Sequence, residues 1–213
     1  MKVISVNVGL PRLLAWQGTT FKTGIFKSSV LGGVMVRATN LDGDRQADLT
    51  VHGGPEKAVY AYPSEHYPAW QTELKEKDLP WGSFGENLTT EGMAEADVFI
   101  GDQYRIGSAI VRVTTPRLPC FKLAAKFKRE DIIKKFVQNG RSGFYFSVVE
   151  EGEVAAGDDI ALLERETQTL SVADVNRLYT TATPDREKLK RSLDVQRLPQ
   201  SWRDRFRARL EQI

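Results

Sequence analysis

Between residue 1 and about residue 165 the chain is cut repeatedly by Gly, Pro and Asp, and between the cuts apolar and polar residues alternate in short runs. Alternation sends successive side chains to opposite faces of an extended strand, so this texture predicts a β-rich domain. Lys2-Val3-Ile4-Ser5-Val6-Asn7-Val8 alternates cleanly, Gly33-Val34-Met35-Val36 runs into the turn-forming Asn40 to Asp44, and Lys57 to Tyr62 ends at Pro63. Val98-Phe99-Ile100, Gln103 to Ile106 and Ala109 to Thr114 are separated by Gly101-Asp102 and Gly107-Ser108, two-residue connectors that predict hairpins. Phe144 to Val149 and Asp159 to Leu163 add two more strands. Helices are expected over Ser64 to Lys77 and Arg129 to Gln138, the latter stopped by Asn139-Gly140. The fold class is therefore mixed and β-dominated, a barrel or closed sheet.

After about residue 166 the pattern changes to helical spacing. Leu170 to Tyr179, Asp185 to Leu193 and Pro199 to Leu210 read as three short amphipathic helices. The division expected is a barrel domain over 1–165 and a three-helix subdomain over 166–213, packed on its neighbour because so short a bundle has little core of its own.

Thirty basic residues against 28 acidic ones give a formal charge of +2, too balanced to argue for stable nucleic-acid binding. The tail carries a basic excess that includes Lys188, Lys190, Arg191, Arg203, Arg205, Arg207 and Arg209, read as a solvated helical face. No apolar run approaches the ~20 residues that span a bilayer, so no membrane is expected. One cysteine and no leading apolar segment with a cleavage site fit a reducing cytoplasm.

That cysteine, Cys120, lies in Pro116-Arg117-Leu118-Pro119-Cys120-Phe121-Lys122-Leu123, straight after a strand-like run. Arg117 and Lys122 favour its thiolate, the form that attacks electrophiles and ligates soft metals. A lone cysteine is also compatible with simple packing as a small hydrophobe. A zinc site built from several cysteines is excluded, and neither a phosphate loop nor a dinucleotide fingerprint is present. Other polar motifs fall at strand ends. Lys27-Ser28-Ser29 offers a cation and hydroxyls suited to a phosphate, or an exposed polar turn. His52-Gly53-Gly54 offers a proton donor beside backbone that a ligand can approach, or a hydrogen-bonded turn. Phe84-Gly85-Glu86-Asn87-Leu88 presents a carboxylate and an amide, the amide suited to the edge of a heterocycle.

Taken in order, Lys27-Ser28, Gly43-Asp44, His52-Gly53-Gly54, Ala58 to Pro63, Phe84 to Leu88, Gly101-Asp102 and Pro116-Arg117-x-Pro119-Cys120-x-Lys122-Leu123 resemble the MOSC domain family, most closely its YiiM-like branch. The resemblance implies a MOSC-type β-barrel with a C-terminal three-helix segment. It also implies binding of the molybdenum cofactor, a metal held by the dithiolene of a phosphorylated pterin (Mo-molybdopterin), with Cys120 as the protein ligand to the metal. By the same resemblance Lys27, Ser28 and Arg45 meet the cofactor phosphate, Arg117 borders the metal, and Glu86 and Asn87 meet the pterin or substrate.

The activity implied is reduction of N-hydroxylated compounds, such as 6-hydroxylaminopurine, to the N–H form. Cys120 and His52 are its catalytic candidates, His52 as proton donor. Without a flavin, haem or iron–sulfur motif, electrons must come from a separate reductase. The rival reading is a carrier that holds sulfur or the cofactor through Cys120 without turning over substrate.

Overall fold

The computed structural model describes residues 1–48, 53–166 and 169–212. Its strands are β1 (Lys2–Val8), β2 (Arg12–Trp16), β3 (Thr19–Thr23), β4 (Ser28–Ser29), β5 (Val34–Arg37), β6 (Asn40–Leu41), β7 (Val59–Pro63), β8 (Leu88–Glu91), β9 (Gln103–Ile106), β10 (Ala109–Pro116), β11 (Phe144–Glu150), β12 (Gly152–Val154) and β13 (Ile160–Glu164). The helices are α1 (Tyr67–Leu74), α2 (Phe121–Phe127), α3 (Ile132–Asn139), α4 (Val172–Thr180), α5 (Arg186–Asp194) and α6 (Gln200–Leu210).

The main sheet runs β13-β9-β10-β11-β7-β8-β1-β4, antiparallel except where β7 lies parallel to β8. Its ends meet. Lys2 bridges Asp159, Val3 N–H donates to Asp158 O at 2.9 Å and Ile160 N–H to Met1 O at 2.9 Å. The first strand thus touches the last, which closes the sheet into the expected barrel and leaves β4 outside the ring.

β7 is buried at every residue because it separates two cores. Val59 and Ala61 point into the barrel with Val3, Val6, Val111, Val113, Phe144 and Phe146. Tyr60 and Tyr62 point the other way, into an aromatic cluster with Tyr67, Trp70, Phe84 and Phe136. β11 repeats the device, sending Phe144 and Phe146 inward and Tyr145 outward against that cluster. Period-two geometry with both faces covered explains why Ala58 to Tyr62 reads as a continuous apolar run.

The three C-terminal helices share the barrel's core, to which they add Val172, Val175, Leu178, Leu189 and Phe206. Ser171 and Asp185 cap α4 and α5 by accepting from Asp174 N–H and Lys188 N–H, at 3.1 and 3.0 Å. Part of the basic tail is engaged in packing: Arg209 donates to the carbonyls of Leu178 and Tyr179, each at 2.8 Å, at the end of α4. Among the described residues no helix is long and apolar enough to cross a membrane.

Three local expectations change. Val98 to Ile100 is no ladder strand. The Asp102 carboxylate accepts from Phe99 N–H at 3.1 Å and bends the chain, leaving Phe99 a lone bridge to Ser171. Gly101-Asp102 is therefore no hairpin connector, whereas Gly107-Ser108 is, since Ile106 pairs with Ala109. The hairpin of β2 and β3 escapes notice in the sequence. It turns at Gln17-Gly18, both at positive φ (49° and 77°), as a two-residue hairpin turn that matches strand twist requires. The Pro-rich segment before Cys120 leads into α2, which buries Leu123, Ala124 and Ala125.

Trp70 is fully buried, donates from Nε1 to the Tyr62 hydroxyl at 2.7 Å and stacks on Phe136. Trp70→Ala is expected to cost about 3–5 kcal/mol by urea denaturation. A loss below about 1 kcal/mol would show that this cluster does not support the fold.

Candidate functional site

A cavity opens where the aromatic cluster meets the rim of the barrel. Its walls come from the segment between β3 and β4, the turns before β7 and β8, and the segment that joins β10 to α2. Of the residues singled out in the sequence, Cys120, Lys27, Arg45, Asn87 and Arg117 line it together. Their separations along the chain had left this convergence open. Ser28 does not line it. It pairs with Val8 at the sheet edge, exposed. His52 lies outside the described residues.

Glu86 also takes a different place. It is wholly buried and faces away from the cavity into a cage of donors: Gly82 N–H at 2.7 Å, Phe84 N–H at 3.0 Å, Thr89 Oγ1 at 3.0 Å and the Tyr67 hydroxyl. Four donors satisfy the carboxylate, so it shapes the turn before β8 and is not free for a ligand. Burial and the adjacent Glu86 push the Tyr67 hydroxyl far above its usual range, which keeps it a donor.

Asn87 reaches the cavity wall with its hydrogen bonds already committed. Oδ1 accepts from Tyr60 N–H at 3.1 Å, and Nδ2 donates to Asn7 O at 3.3 Å and Asp44 Oδ2 at 2.9 Å. Asp44, 1% exposed, also accepts from Gly9 N–H at 2.9 Å and from the Lys27 ammonium. Lys27 is therefore half of a buried ion pair. Burial lowers its pKa while Asp44 pulls it back up. The sequence marked Asp44 only as part of a turn; its role needs three distant segments to meet.

Arg117 is the clearest sign that a ligand belongs here. Its guanidinium sits 5.3 Å from the Tyr60 ring centre and 5.0 Å from that of Phe136, and its backbone N–H donates to Gly143 O at 3.2 Å. Close approach at that point needs glycine, because Gly143 has φ +59° and a Cβ there would meet Ala61 O at 2.4 Å. Nη1 of Arg117 is buried and has no hydrogen-bond partner. An orphaned buried donor costs about 1–3 kcal/mol, more for a charged group, unless an acceptor arrives.

Charge on the walls is lopsided. Lys27, Arg45, Lys57, Arg117 and Lys122 face the cavity and Asp44 is the carboxylate among them. Arg45 is exposed and donates from Nη1 to the carbonyl of Asp44 at 2.9 Å. Half-buried Cys120 lies among these cations. Tyr145 stands beside Arg117 and Cys120. Burial raises its pKa, opposed by Arg117, so it too stays protonated. Sequence inspection missed Tyr60 and Tyr145 because both read as ordinary strand aromatics.

Among the described residues no three His, Cys, Asp or Glu side chains converge on a point that could hold a metal ion. A metal here would have to bring most of its ligands with it and take one soft sulfur from Cys120. An anionic, phosphorylated, sulfur-liganded metal cofactor fits this donor set: one cysteine sulfur, several cations and an unanswered guanidinium.

Barrel and cavity together define a domain that presents a single thiol within an anion-binding cleft. The chain belongs to the MOSC domain family. The family model matches residues 48–161, and the YiiM-like 3-alpha helix domain model matches 170–212. It is 42% identical to the protein YflK of Bacillus subtilis over 99% of this chain and 95% of that one. Protein YiiM of Escherichia coli is 35% identical over 84% and 81%. The crystal structure of YiiM from Geobacillus stearothermophilus superimposes with a TM-score of 0.81 at 35% identity, covering 98% of each chain. A protein named "Reductase" from Gibberella moniliformis is 40% identical over 76% of this chain, which spans 29% of that protein's length. At family level these relationships support an oxidoreductase connected with the molybdenum cofactor.

The Lys27–Asp44 pair yields a thermodynamic test. Asp44→Asn strands a buried ammonium and is expected to cost about 3–5 kcal/mol. The double variant with Lys27→Met should recover most of that loss in urea melts. Strictly additive effects of the two substitutions would show that the pair is not coupled.

Proposed function

We propose that this protein is a molybdenum-cofactor-dependent reductase that converts N-hydroxylated compounds, 6-hydroxylaminopurine among them, to their N–H forms. The observation that carries the reading is the half-buried thiol of Cys120 in a cation-lined cavity, beside an Arg117 guanidinium whose Nη1 lacks an acceptor.

Cys120 would hold the metal through Sγ. Arg45, with Lys27 held in place by Asp44, would take the negative charge of the pterin phosphate, and Arg117 would border the metal. Asn87 and Asp44 act from behind: they hold Tyr60 and Lys27 in place. The bound cofactor would supply the two-electron chemistry by which N–OH becomes N–H with uptake of two protons and release of water.

The cavity wall offers the half-buried ring of Tyr145, an aromatic surface suited to a purine-like ring. Tyr145, protonated and next to Cys120, can donate a hydrogen bond to a substrate oxygen. His52 stays the proposed proton donor. A separate reductase would deliver the electrons. The reading places the protein in the cytoplasm, acting on small molecules without stable contact to nucleic acid or membrane.

Molybdenum and released pterin per chain, measured after expression in a host that makes the cofactor, test the binding claim. Wild type should carry both, and Cys120→Ser should lose the metal or hold it labile. Loaded wild type should then reduce 6-hydroxylaminopurine with chemically reduced viologen and not with reduced pyridine nucleotide alone. Wild type that binds neither metal nor pterin would contradict the reading. Cofactor bound without turnover would point to the carrier instead.

A further inference from the structure

Lys126 lies in the last turn of α2, the helix that starts directly after Cys120. Its Nζ donates to the carbonyl of Ile25 at 3.0 Å and to that of Gly82 at 2.9 Å. Neither carbonyl belongs to a sheet: Ile25 lies between β3 and β4, and Gly82 in the turn before Glu86. Gly82 O takes the Gly85 N–H of its own turn at 3.0 Å, whereas Ile25 O has no ladder partner, so its donor must come from elsewhere.

The segments they belong to carry the cavity wall. Thr23, Gly24, Ile25 and Lys27 line it from one segment, Phe84, Gly85 and Asn87 from the other, and Arg117 and Cys120 from the segment that leads into α2. The first two also touch directly, since a Cβ at Gly85 would meet Ile25 Cγ1 at 2.9 Å. One ammonium thus joins three stretches of chain far apart in sequence. Apolar contacts also seat α2, with Phe127 stacked on Phe84 at 5.5 Å and Phe121 edge-on to Phe21 at 4.8 Å, while the polar Asp44 network does not reach it.

We propose that Lys126 is the positioning residue of this cavity, its ammonium clamping the walls that bear Lys27 and Asn87 to the helix that follows Cys120. A methylene chain alone could fill the same space. The Ile25 carbonyl requires a donor that the backbone does not give, and a charged one binds it and Gly82 O more strongly than a neutral amine does.

The surroundings make that charge conditional. Burial pulls the Lys126 pKa down to about 8; Glu86 pulls it up, while Arg117, Lys27 and Arg12 push it down, and the Phe26 ring lies 5.4 Å away. Lys126 is therefore charged below that pH and neutral above it. The clamp is firm on the acid side and slackens as pH rises. The inference concerns the walls and holds for whichever anion they take.

Cys120 is the only thiol, so its labelling reports on the cavity without any cofactor. The probes are a dianionic aryl disulfide, dithiobis(nitrobenzoate), and a neutral one, dithiodipyridine. Both attack through the same thiolate, so the ratio of their rates cancels the ionisation of Cys120 and leaves the effect of the cationic wall. In wild type the anionic reagent should be favoured below pH 8 and lose several-fold of its advantage above it. Lys126→Met should show a ratio several-fold lower and without the step, while Lys126→Arg should keep the ratio and lose the step.

A wild-type profile flat on both sides of pH 8, or a Lys126→Met variant with the wild-type ratio and step, overturns the proposal. In the second case the titrating group would be Lys27. Should Lys126→Met fail to fold, the wild-type profile and Lys126→Arg decide.

Discussion

The constraint on which the rest depends is the two-sided burial of β7 and β11. Their even and odd residues serve different cores: Val59, Ala61, Phe144 and Phe146 fill the barrel, while Tyr60, Tyr62 and Tyr145 build the aromatic cluster outside it. Because strand geometry repeats every two residues, neither strand can slip by one without exchanging both sets. This fixes Tyr60 and Tyr145 at the rim, where they support Arg117. It also places the α2–α3 layer, whose Leu123, Ile132 and Phe136 complete the outer cluster. The cavity is the gap left where that layer meets the barrel.

A gap lined by cations is an expensive thing to fold. Lys27 and Arg117 are largely removed from water, and burying charge costs several kcal/mol per ion before any partner is counted. The protein meets the cost unevenly. Lys27 has Asp44, Asp44 has Asn87 and Gly9, and Glu86 is caged by four donors and contributes negative potential from below. Arg117 has two aromatic faces and, at Nη1, nothing. The network therefore satisfies Lys27 and Asn87 on the cavity wall and leaves Arg117 Nη1 without an acceptor. That is the pattern expected where stability has been given up for binding.

Much of this was legible in the sequence because it rests on local periodicity. The alternation of Lys2 to Val8, the unbroken run at Ala58 to Tyr62 and the three amphipathic segments after residue 170 each name an element correctly. Errors arose where a tertiary partner overrides the local signal. Phe99 looks like a strand residue, yet the Asp102 carboxylate turns the chain there. Pro116 to Leu123 reads only as the segment after a strand-like run, yet from Phe121 the chain folds into α2. In the site, Cys120, Arg117, Lys27, Arg45 and Asn87 were identifiable because cations and a thiol in a β-rich chain stand out. Glu86 misled for the same reason: a carboxylate beside a glycine looks available until its donors are counted. The roles of Asp44, Tyr145 and Lys126 could not be read from spacing, since each depends on segments brought together from across the chain.

The central claim is that Cys120 supplies a sulfur to a metal within this cationic cleft. X-ray absorption at the molybdenum edge, on the chain purified from a cofactor-making host and on its Cys120→Ser variant, tests it most directly. The account predicts that the wild-type spectrum contains a sulfur neighbour that the variant replaces with oxygen or loses together with the metal. Indistinguishable spectra from two chains equally loaded with molybdenum would contradict it.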